Sequence, residues 1–134
     1  MTGHIFGMLV LVIAALFSLF TTWTSATAPA AFAEQLGLSI ANAGGTNEIR
    51  AQYAGFFLAV AIACVASIAG IVPRQSAYLI LVVVFGGLIA GRAASLLLNH
   101  GMSGYGPTIV ALYAIDATGL ALSLTAFSFD GARG

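Results

Sequence analysis

Residues 77–98 read AYLILVVVFGGLIAGRAASLLL, an apolar run that carries a single charge, Arg92. A helix needs roughly 20 mainly apolar residues to cross the hydrocarbon of a bilayer, and this run is long enough. The lone charge is not enough to prevent insertion, because polar residues inside a membrane usually face the interior of a helix bundle. The stretch therefore predicts a transmembrane helix.

Three further runs of similar length flank it, so the chain of 134 residues is predicted to be a single transmembrane domain. The tight turn at 73–76 and the short glycine-rich loop at 99–106 make consecutive spans antiparallel. Pro107 suits the first turn of the last span, where its missing N–H breaks no hydrogen bond. We predict an all-α fold, an integral membrane four-helix antiparallel bundle with spans at about 5–25, 49–72, 77–98 and 107–127.

Composition supports the same class. The chain is 60% hydrophobic and only 6% charged, and it contains arginine but no lysine. A soluble domain carries about 25% charged residues, because its surface must face water. The formal net charge is zero, which argues against a nucleic-acid partner. The single cysteine, Cys64, excludes an intramolecular disulfide.

The connection between the first two spans is the only long one. Within it Pro29–Leu36 is predicted to form a short amphipathic helix on the membrane surface, with Phe32 turned inward and Gly37 ending the helix. Asn47 is predicted to be the N-cap of span two, which places Glu48 at the positive end of the helix dipole.

The first span has an alternative interpretation as a secretory signal, since Ala31–Ala33 has the A-x-A form of a cleavage site. No Lys or Arg precedes the apolar core, however, and that core ends well before the site. We therefore interpret residues 5–25 as a true span.

Arginine positions suggest an orientation. Arg74 and Arg133 lie on the same side as both termini in a four-span chain. Because cytoplasmic loops are enriched in Lys and Arg, this places the termini in the cytoplasm and the long first loop outside.

Small residues at four-residue spacing are expected to pack the helices together. Lipid offers little hydrophobic drive for helix association, so close contact through small side chains must supply it. A GxxxG pair could instead mark a homodimer face. The predicted packing stripe consists of Ala51, Gly55, Ala59, Ala63 and Ser67 in span two and of Gly87 and Gly91 in span three.

Two charges fall inside the predicted spans. Arg92 and Asp116 lie about 9 and 13 Å from the outer ends of their helices at 1.5 Å per residue. Antiparallel neighbours at those depths can meet, because an arginine side chain is long. We expect the two to form a buried ion pair within an outer polar cluster of Glu48, Arg50, Tyr53, Arg92, Tyr113 and Asp116.

Two roles remain open for this cluster. It could be a small pocket, open outward, that binds a ligand's head group or shuttles protons. It could also be an ion-pair network that fixes helix register, the interpretation that we favour. No pattern of catalytic or metal-ligating residues is present, since His4 and His100 are single and have no Cys or acidic residue at ligand spacing. His100 as a lone axial haem ligand is the weakest alternative.

The stretch GTNEIRAQYAGFFLA (45–59) resembles the hallmark of an uncharacterised bacterial four-span family, domain of unknown function 4345. The resemblance covers most of the chain and includes the proline-bearing first loop, Gly91-Arg92 and an acid in span four. The family usually has Glu where this chain has Asp116, and Gly-Gly where it has Ala54-Gly55. The resemblance implies a bacterial inner-membrane location and the four-span fold, with signature positions Glu48, Arg50, Gly55, Arg92 and Asp116. The family has no established activity that the resemblance could assign to this chain.

We expect a non-enzymatic accessory or structural subunit of a larger membrane complex, such as a respiratory or photosynthetic assembly. The alternative is a small transporter or binder of a lipid- or quinone-like amphiphile that uses the outward Arg/Asp/Glu pocket. No catalytic residue, metal site or tightly held cofactor is expected. The expected partners are the lipid bilayer and either a membrane protein or a second copy of the chain.

Overall fold

The computed structural model describes residues 2–131, and every regular element in that range is helical. Four of the helical stretches are long and apolar enough to cross a membrane, which confirms the predicted fold class. The elements are α1 (Thr2–Thr27), α2 (Pro29–Gln35), α3 (Ala43–Ile49), a π-helical segment (Arg50–Gly55), α4 (Phe56–Ile68), α5 (Arg74–Leu98) and α6 (Pro107–Gly131). Span two consists of α3, the π segment and α4 in one continuous helix.

Span two begins earlier than predicted, and its cap is a different residue. Asn42, in an extended conformation, accepts a hydrogen bond from the Gly45 N–H at 3.1 Å, so Asn42 and not Asn47 is the N-cap. The helix ends at Ile68 because Gly70 adopts φ +75° and the Ile71 N–H bonds back to Ala66. That closure is a Schellman motif, which stops the helix before the predicted end at 72.

The short helix in the first loop is present as predicted. α2 starts at Pro29, a residue favoured in a first turn, and Gly37 ends it with φ +74°. Ala33 is fully buried, and its carbonyl accepts the N–H of Leu38 in a second Schellman closure.

The four spans form a ring in chain order. α1 packs on α4 and α6, and α5 packs on α6 and α4. We call the end that carries the 69–73 turn, the start of α1 and the end of α6 the terminal end, and the opposite end the loop end. The core lies toward the terminal end and comprises Val10, Leu11, Ala14, Ala15, Val60, Cys64, Ala77, Tyr78, Leu81, Phe85 and Ala126.

The loop end is packed more loosely. No residue of α5 between Gly86 and Leu98 is fully buried, whereas four residues of its first half are. The α5–α6 pair therefore separates from the π segment of span two toward the loop end, and a cleft opens between them.

The predicted packing stripe does not form the inner seam of the bundle. Steps of four residues advance about 40° around a helix, so a stripe from 51 to 67 winds to the opposite side of span two. Larger side chains, Phe57, Val60 and Cys64, fill the buried face instead. Of the stripe, only Ser67 is buried, Ala63 is half-buried, and Ala51, Gly55, Ala59, Gly87 and Gly91 are exposed.

The contact between α5 and α6 follows a seven-residue register. Tyr78, Phe85 and Arg92 recur every seven residues on α5, and they meet a face of α6 that carries Asp116 and Asp130. At the terminal end the Tyr78 hydroxyl donates to Asp130 Oδ2 at 3.1 Å, with Arg74 Nε 3.7 Å from the same oxygen. Polar bonds thus fix the helix pair at both ends.

Candidate functional site

The predicted ion pair is present in the bundle. Arg92 Nε donates to Asp116 Oδ2 at 2.5 Å, and the Asp116 side chain is only 3% exposed. An isolated charge in such a low-dielectric environment is costly, so each group requires the other. The Arg92 side chain is 20% exposed, which leaves part of its guanidinium facing outward.

Tyr113 holds Arg92 in two ways. Its ring centroid lies 5.5 Å from Arg92 Cζ, within range of a cation–π interaction. Its hydroxyl donates to the Arg92 carbonyl oxygen at 3.0 Å. Because Tyr113 precedes Asp116 by three residues, both side chains lie on the same face of α6. One turn of α6 therefore holds Arg92 in place, through the aromatic ring of Tyr113 and the carboxylate of Asp116.

A second polar group adjoins the pair at the loop end. The Tyr105 hydroxyl lies 2.9 Å from Ser95 Oγ, and Asn99 Nδ2 donates to both oxygens at 3.2 and 3.4 Å. The hydrogen bond with Ser95, and then that with Asn99, lowers the pKa of Tyr105 from its ordinary value. The rings of Tyr105 and Tyr113 lie 6.2 Å apart and are tilted by 31°. The sequence pattern does not predict Tyr105 as a site residue. The signal that could have identified it is an aromatic side chain between two glycines, Gly104 and Gly106, in the loop 99–106.

These residues form one wall of the cleft, which has a volume of about 930 Å³. On the facing wall Tyr53 packs edge-on against Phe32 of α2, with ring centroids 5.0 Å apart. The cleft is lined by residues 34–37, by Tyr53, by Gly87, Leu88, Gly91, Arg92 and Ser95 of α5, by residues 104–109 and by Tyr113.

Glycines leave the α5 wall of the cleft without side chains. A Cβ atom added to Gly87 or Gly91 would meet nothing within 4 Å. The predicted role of the two glycines in close helix packing is therefore wrong. Instead they leave a strip of the cleft wall without side chains.

The π segment sets the position of Tyr53. A π turn spans more residues than an α turn and leaves backbone groups free to bond elsewhere. Here Thr22 Oγ1 of α1 donates to the Ala54 carbonyl at 3.2 Å. The same segment turns Arg50 toward α1, where its Nε donates to the Ala26 carbonyl at 3.2 Å.

The predicted cluster of six residues is therefore divided. The structure brings Arg92, Tyr113 and Asp116 together and places Tyr53 across the cleft from them. Arg50 is exposed and bonds to α1, and Glu48 is exposed without an ion pair to any described residue. An extra residue in the π turn rotates the start of span two, and the sequence pattern carries no sign of that rotation.

Metal binding has no support in the residues that the structure describes. Within 2–131 no three His, Cys, Asp or Glu side chains lie close enough together to hold an ion. Cys64 is a free thiol in the apolar core.

Comparison with known proteins gives a family but no function. A protein-family model described as a domain of unknown function matches residues 7–127. The match includes Tyr53, Arg92, Tyr105, Tyr113 and Asp116. No curated protein and no solved structure matches the chain.

Proposed function

This chain belongs to the DUF4345 family of unknown function, and we propose that it is a membrane protein that binds an amphiphile in the cleft beside Arg92. The head group lies against Arg92 and Tyr105, and the apolar tail lies along Gly91 and Gly87. The proposal assigns binding to the site and no reaction.

The guanidinium of Arg92 carries this proposal. Among the described residues its only hydrogen bond runs from Nε to Asp116, while a guanidinium has five N–H donors. The remaining donors belong to a side chain that lines the cleft. Unpaired donors at membrane depth are costly, so an acceptor on a bound head group would stabilise them.

The bare strip on α5 supports the placement of the tail. Gly91 lies one turn and Gly87 about two turns deeper in the bundle than Ser95, on the side of α5 that lines the cleft. Both are exposed, and Leu88 beside them adds an apolar wall. An alkyl or prenyl chain that lies there exchanges contact with bilayer lipid for contact with the protein, while its head group stays at the polar end.

Replacing Gly91 with leucine should block the cleft without harming the fold. The new side chain occupies the volume of the tail, and a Cβ at this position meets no neighbouring atom. The measurement is native mass spectrometry of protein purified in mild detergent, followed by extraction of bound amphiphile. We expect a bound amphiphile on the wild-type protein and a loss of about tenfold or more in occupancy for Gly91→Leu.

Ala90→Leu is the matched control. Ala90 is exposed on the same helix at the same depth, but it does not line the cleft. It should retain the amphiphile, and neither variant should unfold markedly below the wild-type temperature, because leucine is a strong helix former at either position. A wild-type protein that carries no amphiphile, or equal occupancy in the two variants, would contradict the proposal.

An accessory subunit of a larger membrane complex is the second candidate, and one observation favours it. Ala51, Gly55 and Ala59 are small and exposed on span two, so the helix of another membrane protein or of a second copy could approach closely there. A respiratory or photosynthetic assembly is the expected setting. Purification from native membranes in mild detergent should then yield a stoichiometric partner, and a chain that purifies alone would count against this role.

The proposed location is the bacterial inner membrane with both termini in the cytoplasm. Arg74, at the terminal end, supports this orientation through the enrichment of arginine in cytoplasmic loops. Arg133, on which the predicted orientation also rests, lies outside the described residues. In this orientation the cleft opens toward the outer side of the membrane.

A further inference from the structure

We infer that the amphiphile carries a planar, uncharged ring with carbonyl oxygens, that is, a head group of the quinone class. This inference rests on the proposed function and adds the chemistry of the head group to it. Three features of the cleft support it: the charge balance, the kind of hydrogen-bonding group that is free, and the shape of the walls.

The charge balance favours an uncharged ligand. Asp116 already compensates the positive charge of Arg92 through their direct bond. An anionic head group would add an uncompensated negative charge at a depth where charge is costly. Glu34 lines the cleft at the opposite wall and would also repel an anion. A phosphate or carboxylate therefore gains less at this arginine than it would at an unpaired one.

The free hydrogen-bonding groups require an acceptor. A guanidinium can only donate, so the outward face of Arg92 offers N–H groups and no acceptor. The hydroxyls of Ser95 and Tyr105 already bond to each other and to Asn99. A carbonyl oxygen meets this demand, because it accepts hydrogen bonds without bringing a charge.

The walls of the cleft favour a flat head group. Five glycines line it, and a Cβ at any of them would meet nothing within 4 Å: Gly37, Gly87, Gly91, Gly104 and Gly106. Tyr105 and Tyr113 add ring faces on one side, and Tyr53 stands on the other. Aromatic rings pack well against flat backbone and against offset ring faces. A tetrahedral head group cannot make the same flat contact with these surfaces.

Direct binding of a probe tests the inference. The protein is placed in phosphatidylcholine nanodiscs and titrated with a decyl-substituted 1,4-benzoquinone, with heat of binding as the readout. We expect saturable binding that weakens by about tenfold or more in Gly91→Leu and stays unchanged in Ala90→Leu. Nanodiscs that contain phosphatidylglycerol should give the same affinity as pure phosphatidylcholine.

A double variant examines the role of the arginine at constant charge. Arg92→Gln with Asp116→Asn keeps the site neutral and leaves amide donors in place, so folding can be checked by circular dichroism and thermal unfolding. An amide has two N–H donors where a guanidinium has five, and it sits on a shorter side chain. A folded double variant should therefore bind the benzoquinone about tenfold more weakly. If that variant does not fold, Tyr53→Ala, which removes one ring wall, should weaken binding in its place.

The outcomes separate the two proposals. If the benzoquinone does not bind while Gly91→Leu still removes a co-purified amphiphile, the quinone class is wrong and amphiphile binding stands. The same holds if phosphatidylglycerol displaces the benzoquinone, since an anionic head group is then preferred. If Gly91→Leu changes neither measurement, both proposals fail.

Discussion

Replacement of Asp116 with alanine is expected to destabilise the folded bundle by about 3–5 kcal/mol. The Asp116 side chain is 3% exposed and bonds directly to Arg92, so its removal leaves an unpaired positive charge in a low-dielectric environment. The lost stability arises mainly because the charge of Arg92 is left without a partner, and less because the bond itself is missing. Unfolding in a denaturing detergent, followed by circular dichroism, measures the difference.

Variants at the same two positions separate pairing from packing. Replacing both Arg92 and Asp116 with leucine should cost less than Asp116→Ala alone, because no charge is left unpaired. The charge swap, Arg92→Asp with Asp116→Arg, should recover part of the loss. Ser123→Ala is the matched control. Ser123 is buried on the same helix, but its hydroxyl donates only to the Gly119 carbonyl oxygen within α6. Wild-type stability for Asp116→Leu would show that the two charges do not stabilise each other.

Replacement of Gly119 with alanine is the second change with a large expected effect, about 1–3 kcal/mol of destabilisation. A Cβ atom at Gly119 would lie 2.6 Å from Cε1 of Phe85 and nearly as close to two other atoms of that ring. Phe85 is part of the core, so its ring cannot move away freely. The two helices must then separate or the ring must leave its rotamer. Thermal unfolding in detergent gives the size of the loss.

Gly87→Ala is the control for this prediction. Gly87 lies in the middle of α5, and a Cβ there meets nothing within 4 Å. Because alanine favours a helix over glycine by up to about 1 kcal/mol, this variant should match or exceed the wild-type stability. Combining Gly119→Ala with Phe85→Leu should restore part of the lost stability. Equal effects of the two glycine substitutions would contradict the packing argument.

The features that the sequence predicts well are those that depend on length and depth. A run such as 77–98 must cross the bilayer because nothing else can solvate it, and the short connections then force antiparallel neighbours. The pairing of Arg92 with Asp116 follows from their similar depths in adjacent helices, and the structure places them in contact. The hydrogen bond between Tyr78 and Asp130 also joins residues at similar depths, each two heptads from its counterpart in the first pair, but the sequence pattern does not predict it.

The features that the sequence does not predict depend on rotation about a helix axis. Nothing in RAQYAG (50–55) distinguishes a π turn from an α turn, yet this turn decides that Tyr53 reaches the cleft and that Arg50 does not. The small residues from Ala51 onward suggested a packed seam, but a four-residue repeat winds around the helix and most of it is exposed. The cleft itself arises because α5 separates from span two toward the loop end, a matter of tertiary packing.

The exposure of Gly87 and Gly91 also determines how the cleft can be reached. Both are exposed residues of a helix long and apolar enough to span the membrane, and they line the cleft, so an amphiphile dissolved in the bilayer would reach the cleft along this wall. Its occupancy would then follow its mole fraction in the membrane. Diluting a vesicle suspension with buffer would leave the bound fraction unchanged, whereas fusing the vesicles with ligand-free lipid would lower it.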